Sequence, residues 1–311
     1  GKRVLTTGGH FGYLKIAEGC DKHCTYCIIP KLRGRFRSVP MERLLEQAQE
    51  MAEQGVKELI LVAQETTVYG TDIYGKKSLH VLLKELCRIK GIRWIRVLYC
   101  YPEEIYDELI QTMKEEKKIC HYLDLPIQHA SDRILKRMGR RTTKAELVAI
   151  VNKLREEIPD IVLRTTLITG FPGETQEDHE ELMEFVDEME FDRLGVFTYS
   201  PEEDTPAATM PDQVPEEVKE DRRDEIMELQ QEISYDKGTD RIGQELMVMI
   251  EGKVADESAY IGRTYGDAPK VDGYIFVQTG ELLMTRDFAK VRVTGALEYD
   301  LIGELADEYT E

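Results

Sequence analysis

No apolar run in this chain of 311 residues approaches the length that spans a bilayer, and its start carries no signal-peptide pattern. Membrane integration and export therefore have no support in the sequence, and the cytoplasm is the expected compartment. Six cysteines are too few for a disulfide scaffold at this length, which also suits a reducing environment. Positive charge is scarce as well. Against 60 Asp and Glu stand 41 Lys and Arg, a formal net of −19. Broad binding to nucleic acid needs a basic surface to displace counterions, so this balance favours a small molecule or a basic protein as partner. Low-complexity tracts are missing, and nothing repeats except an alternation of strand-like and helix-like segments.

What is present is a cysteine cluster that lacks a fourth member. Gly19-Cys20-Asp21-Lys22-His23-Cys24-Thr25-Tyr26-Cys27 follows an extended run, and the other cysteines, Cys87, Cys100 and Cys120, lie far away in sequence. A cuboidal iron–sulfur cluster normally takes four thiolates. Three on one loop would leave one iron without a protein ligand, and an open coordination position is what lets a metal centre bind a substrate. Two other readings stay open at this point. A structural zinc site could recruit His23 or His10, although zinc spacings usually show two separate close pairs. Three unrelated buried thiols are the third possibility.

Cys-x3-Cys-x2-Cys with Tyr26 before its last member resembles the signature of radical S-adenosylmethionine enzymes. Tyr13 to Cys20, Ile28-Ile29-Pro30, Arg33-Gly34, Leu125 to Asp132 and Gly170-Phe171-Pro172-Gly173-Glu174-Thr175 resemble the methylthiotransferase branch. Within it, Pro126-Ile127-Gln128-His129-Ala130-Ser131 is similar to the RimO type, which modifies a ribosomal protein, rather than to the relatives that modify transfer RNA. The resemblance runs from Tyr13 to about Leu305. It implies a partial six-stranded (β/α)6 barrel followed by a small all-β TRAM domain, an oligonucleotide-barrel-like module. It also implies a preceding domain with a second three-cysteine 4Fe–4S cluster. Since the chain begins at Gly1, and Lys2-Arg3-Val4-Leu5 reads like the interior of a longer protein, that domain is expected to be missing.

Periodicity supports this organisation independently. Pro40 opens a helix with Met41, Leu44, Leu45, Ala48, Met51 and Ala52 on one face, closed by Gly55. Glu58 to Ala63 suits a strand buried on both faces. Helices then alternate with strands at Trp94–Tyr99, Tyr122–Leu125, Ile161–Ile168 and Leu194–Tyr199, a parallel α/β pattern that leaves barrel and open sheet undecided. After the acidic, proline-containing stretch 200–214 comes a charged helix from about Pro215 to Ile233, read as a solvated rod. Short β-prone runs at 246–250, 259–263, 273–277 and 288–293 then suggest a small antiparallel barrel. The boundaries expected are 1–236 for the radical core and 237–311 for the TRAM module.

By the resemblance, Cys20, Cys24 and Cys27 ligate a 4Fe–4S cluster whose open iron binds S-adenosylmethionine. Tyr26, Gln64, Gln128, Arg164 and Gly170 are the candidate cofactor contacts. Arg164 sits within an apolar strand and needs an anion, either the cofactor's carboxylate or a neighbouring acid. No side chain is assigned as acid or base, because the cofactors carry the difficult chemistry. Arg33, Arg35 and Arg37 form a basic island that meets either an anionic substrate group or solvent. His129 is either a marker of the RimO type or a structural histidine.

The implied reaction inserts a methylthio group at the β-carbon of an aspartate in the twelfth protein of the small ribosomal subunit, by 5′-deoxyadenosyl radical chemistry. A flavodoxin or ferredoxin would donate electrons. From Lys237 onward, 8 Lys and Arg face 15 Asp and Glu, a net of −7, which suits a basic ribosomal protein better than RNA. Without the second cluster, the chain is expected to cleave the cofactor but not to complete sulfur insertion. The alternatives are a transfer-RNA adenosine methylthiotransferase and a non-enzymatic, zinc-stabilised binding module.

Overall fold

The computed structural model describes residues 4–5 and 10–306. The reading of Lys2-Arg3 and the outer limits of the ranges 1–236 and 237–311 lie outside these residues. Six strands, β1 (Phe11–Lys15), β2 (Glu58–Val62), β3 (Trp94–Val97), β4 (Ile119–Gln128), β5 (Val162–Thr169) and β6 (Arg193–Thr198), pair in sequence order, every pair parallel. No pairing between β1 and β6 closes the sheet among the described residues, so the barrel is partial. Strand β2 is almost wholly buried, as its unbroken apolar run requires of a strand covered on both faces.

Helices return the chain between strands: α1 (Met41–Glu53), α2 (Leu79–Cys87), α3 (Asp107–Glu115), α4 (Asp132–Arg137), α5 (Lys144–Glu157) and α6 (Gln176–Met189). Their apolar stripes, such as Leu44 and Ala48 on α1 and Leu82, Leu83 and Leu86 on α2, are buried against the sheet. At the start of α6, Thr175 and Asp178 cap each other's backbone in a reciprocal box. A short 3-10 turn, Pro102–Glu104, precedes α3. No helix among the described residues is long and apolar enough to cross a membrane.

The charged helix is longer than expected, α7 (Glu216–Asp240), and it is not simply solvated. Lys219 and Arg222 are buried, with Lys219 Nζ donating to Tyr199 O at 2.9 Å and Arg222 Nη1 to Glu174 Oε1 at 2.8 Å. Helical periodicity does not distinguish a charge facing water from one aimed at a buried partner. Cys100 is buried in the core, with its Sγ 3.3 Å from Thr66 Oγ1.

After α7 come β7 (Glu245–Val254), β8 (Ala259–Arg263), β9 (Ile275–Gln278), β10 (Phe288–Ala296) and β11 (Leu301–Leu305). They close through β7–β10 into a five-stranded barrel. One of its pairs, β9–β11, is parallel, and β11 was not legible as a strand in the sequence. Residues 4–5 add a short antiparallel pairing to the end of β7.

This small barrel packs against the amino ends of the parallel strands. Glu58, Arg96 and Arg263 are all fully buried there. One Glu58 oxygen accepts from Arg96 Nε at 2.9 Å and the other from Arg263 Nη2 at 2.6 Å. Burial alone would raise the Glu58 carboxyl, but the two guanidinium groups outweigh it and hold it below its usual range. Removing one partner of a buried ion pair costs about 3–5 kcal/mol, because the other charge stays buried and uncompensated. Glu58→Gln is therefore expected to lower the urea midpoint of the protein clearly; an unchanged midpoint would show that the two units hold together without this pair.

Candidate active site

The cysteine loop leaves the carboxyl end of β1 and is anchored from both sides. Gly19 has φ +82°, and any Cβ there would stand 2.3 Å from Arg35 O. Phe36 N donates to Asp21 Oδ1 at 3.0 Å. On the other side, Thr25 N donates to Met138 O and Thr25 Oγ1 to Arg137 O, both at 2.8 Å, which ties the loop to the end of α4. Gly139, φ +76°, lets that turn lie against His23 and Cys24.

Cys20 and Cys24 are buried and Cys27 is partly exposed. Lys22 N points at Cys20 Sγ and Ile29 N at Cys27 Sγ, each at 3.4 Å, so backbone donors already face the sulfurs as a thiolate requires. Burial pushes the Cys20 thiol up to about 11 and raises Cys27 as well, so metal binding must expel protons. Among the described residues, no three His, Cys, Asp or Glu side chains come together as a site for a single ion. A cuboidal cluster is larger than an ion, and the chemistry of three thiols with inward backbone donors fits it.

Cys20, Tyr26 and Cys27 stand on the wall of a cavity of about 840 Å³ inside the partial barrel. Gln64 and Gln128, from the carboxyl ends of β2 and β4, line it too. The Oε1 atom of each is buried without a hydrogen-bond partner. Two buried, unsatisfied acceptors on residues of one cavity wall call for a ligand with N–H or O–H donors once a side chain turns toward it. Gln128 has φ +74° and Tyr99, also on the wall, has φ +57°. Non-glycine residues held in this left-handed region are strained, and such strain collects at ligand sites.

Other candidates stand differently. Arg164 reaches the cavity, but its Nη1 pairs with Asp272 Oδ1 at 3.0 Å and its Nε lies 3.9 Å from Asp124 Oδ1. Asp272 belongs to the small barrel and also accepts from the Tyr122 hydroxyl at 2.5 Å. Gly170 is off the cavity wall, because the Lys219 side chain occupies the space beside it. Its N–H donates to Glu174 Oε1 at 3.0 Å. His129 is structural: Nδ1 accepts from the N–H groups of Ala130 and Ser131 at 2.9 and 3.0 Å. Nε2 therefore carries the proton and donates to Glu174 Oε2 at 2.7 Å. Arg37 caps the carbonyls of Arg33 and Arg35, and Arg33 lies 3.8 Å from Glu18, all away from the cavity.

Sequence reasoning missed Tyr99, Tyr122, Asp124, Phe197 and Val271 as wall residues. The only available signal was position at or near strand ends, and Val271 comes from the other unit altogether. Burial pushes the Asp124 carboxyl up to about 6, with Arg164 opposing the rise. A raised folded-state pKa favours the folded protein below about pH 4 and loses that contribution as pH rises through about 6, a change on the order of 3 kcal/mol. Asp124→Asn does not titrate, so its stability relative to the parent is expected to rise between pH 4 and pH 7. Urea unfolding at the two pH values checks this, and a pH-independent difference refutes it.

Comparisons with known proteins agree with this geometry. The Radical SAM superfamily profile matches residues 14–186, and the TRAM domain profile matches residues 242–306. The chain is 66% identical over 301 residues to the ribosomal protein uS12 methylthiotransferase RimO of Lachnoclostridium phytofermentans, covering 97% of this chain and 68% of that protein. It is 56% identical over 308 residues to the protein of that name from Clostridium perfringens, covering 99% and 68%. Among solved structures, coproporphyrinogen III oxidase (HemN) of Escherichia coli, a radical SAM enzyme, superposes with a TM-score of 0.53 at 15% identity, over 93% of this chain and 67% of that one. The radical S-adenosylmethionine methyltransferase TsrM of Kitasatospora setae, with cobalamin and a [4Fe-4S] cluster bound, gives 0.52 at 17% identity, over 64% and 39%.

Proposed function

Since the chain belongs to the radical SAM superfamily, and within it to the RimO methylthiotransferases, we propose that its cavity generates the radical that opens the β-carbon of an aspartate in ribosomal protein uS12 for methylthiolation. The observation that carries the reading is the pairing, in one cavity, of the cysteine loop with two orphaned glutamine oxygens. Cys20, Cys24 and Cys27 would hold a 4Fe–4S cluster. Bound beside it, S-adenosylmethionine would supply a 5′-deoxyadenosyl radical on receiving an electron from a flavodoxin or ferredoxin.

The chain's own part is binding, orientation and exclusion of water. The Gln64 and Gln128 oxygens would accept from the cofactor's amino group and ribose hydroxyls, and Tyr26 would approach its adenine. Arg164 acts by ordering the cavity floor with Asp124 and Asp272, and Gly170 by the turn it permits. Tyr99 and Phe197, both exposed to the cavity, give the substrate loop aromatic surface. The acidic TRAM module, net −7 from Lys237 onward, suits a basic ribosomal protein, and the cytoplasm is where that partner is made.

The test is anaerobic: reconstitute with iron and sulfide, reduce, add S-adenosylmethionine and assay 5′-deoxyadenosine. The wild type is expected to form it and Cys24→Ala to be silent. Gln128→Leu is expected to raise KM for S-adenosylmethionine about 2- to 10-fold, the value of a neutral hydrogen bond at about 0.5–1.5 kcal/mol. An iron-loaded wild type that yields no nucleoside overturns the radical reading.

A further inference from the structure

Arg140 follows the turn that clamps the cysteine loop. It is buried, its side chain only 1% exposed, yet none of its three guanidinium nitrogens has a hydrogen-bond partner. The nearest carboxylate oxygen, Glu103 Oε2, lies 3.6 Å away and is itself without a hydrogen bond. Glu103 is shared with Lys22 Nζ at 3.5 Å. The guanidinium carbon sits 4.4 Å from the centre of the Tyr101 ring, and Tyr26 and Cys24 are its other close electrostatic neighbours. The backbone brings it there: a methyl on Gly139 would stand 3.5 Å from Cys24 Cα. A buried guanidinium whose nearby acceptors, Glu103 Oε2 and the Tyr26 hydroxyl, leave its donors poorly satisfied is costly, and an anion placed within its reach lowers that cost.

Resting on the cluster reading above, we infer that Arg140 is a positioning residue for the cluster, holding a buried positive charge on the Cys24 side of the anion. Three thiolates and a cuboidal cluster are anionic together, and reduction adds another negative charge. A fixed cation beside them favours the reduced state. Contact with the Tyr101 ring, 4.4 Å from the guanidinium carbon to its centre, holds the group in place. Glu103, Tyr101 and Lys22 thus form the outer frame of the ligand loop.

The experiment compares reconstituted wild type, Arg140→Gln and Arg140→Lys at equal iron and sulfide content, reading the midpoint potential of the cluster by its EPR signal. Arg140→Gln is expected to lower the reduced-to-oxidised ratio about tenfold at a fixed reductant potential, a downward shift of ~59 mV for one electron. Arg140→Lys, which keeps the charge, should shift less than half as far. A second measurement needs no variant to fold. Wild type labelled with ¹⁵N in its arginine guanidinium groups should show a weak nitrogen coupling to the reduced cluster in pulsed EPR. An unmoved potential in Arg140→Gln, equal shifts in the two variants, or no nitrogen coupling in the wild type each overturn the inference and leave the cluster reading intact. A wild type that takes up no cluster overturns both.

Discussion

Everything in this molecule depends on a parallel sheet that curls without closing. Six strands make a trough with a lumen, and no hydrogen-bonded seam joins β1 to β6 among the described residues. Such a lumen needs a floor, and the chain builds one from its second unit. Tyr122, Asp124 and Arg164 on the parallel strands meet Asp272 from the small barrel. Below them, Glu58 joins Arg96 of the sheet to Arg263 of the barrel, all three out of contact with water. Around these charges Trp94, Cys120, Val162, Met249 and Ala268 form an apolar cluster drawn from both units.

That floor has a functional consequence. A cavity floored at its amino end by charge pairs is entered from the carboxyl rim, where the cysteine loop stands. The small barrel is therefore more than an appendage for partner binding, because Val271 contributes to the same wall as Cys20 and Cys27. A substitution in the barrel that disturbs Asp272 acts on the cavity through Arg164.

The rim is built by a different means. Glu174 accepts from Gly170 N, His129 Nε2 and Arg222 Nη1, and so links the turn after β5, the turn after β4 and helix α7. Burial raises its carboxyl, but these three donors outweigh burial and hold it below its usual range. The motif Gly170 to Thr175, which looks from the sequence like a ligand-binding turn, serves the site by fixing the backbone that carries Gln128. On the far side, the Arg137 and Met138 carbonyls fix the cysteine loop.

How much of this was legible in the sequence follows from the range of the forces involved. The alternation of strand and helix, the stripes such as Leu44 and Ala48, and the loop Cys20–Cys27 are local patterns that hold wherever the segment ends up. Gln64 and Gln128 were within reach because ligands gather at the carboxyl ends of parallel strands. Strand β11 was not, since its parallel pairing with β9 joins segments separated by the whole of β10. Neither the burial of Lys219 and Arg222 nor the pairing of Arg164 with Asp272 shows in periodicity, because a charge reads the same whether its partner is water or a distant side chain. The sequence by itself determined most of the elements, their order and the loop that carries three cysteines. Only the tertiary structure decided which charges are buried, who neutralises them, and that Arg140 is buried among Glu103, Tyr101 and Tyr26 near the cysteine loop, for those are matters of proximity between residues far apart along the chain.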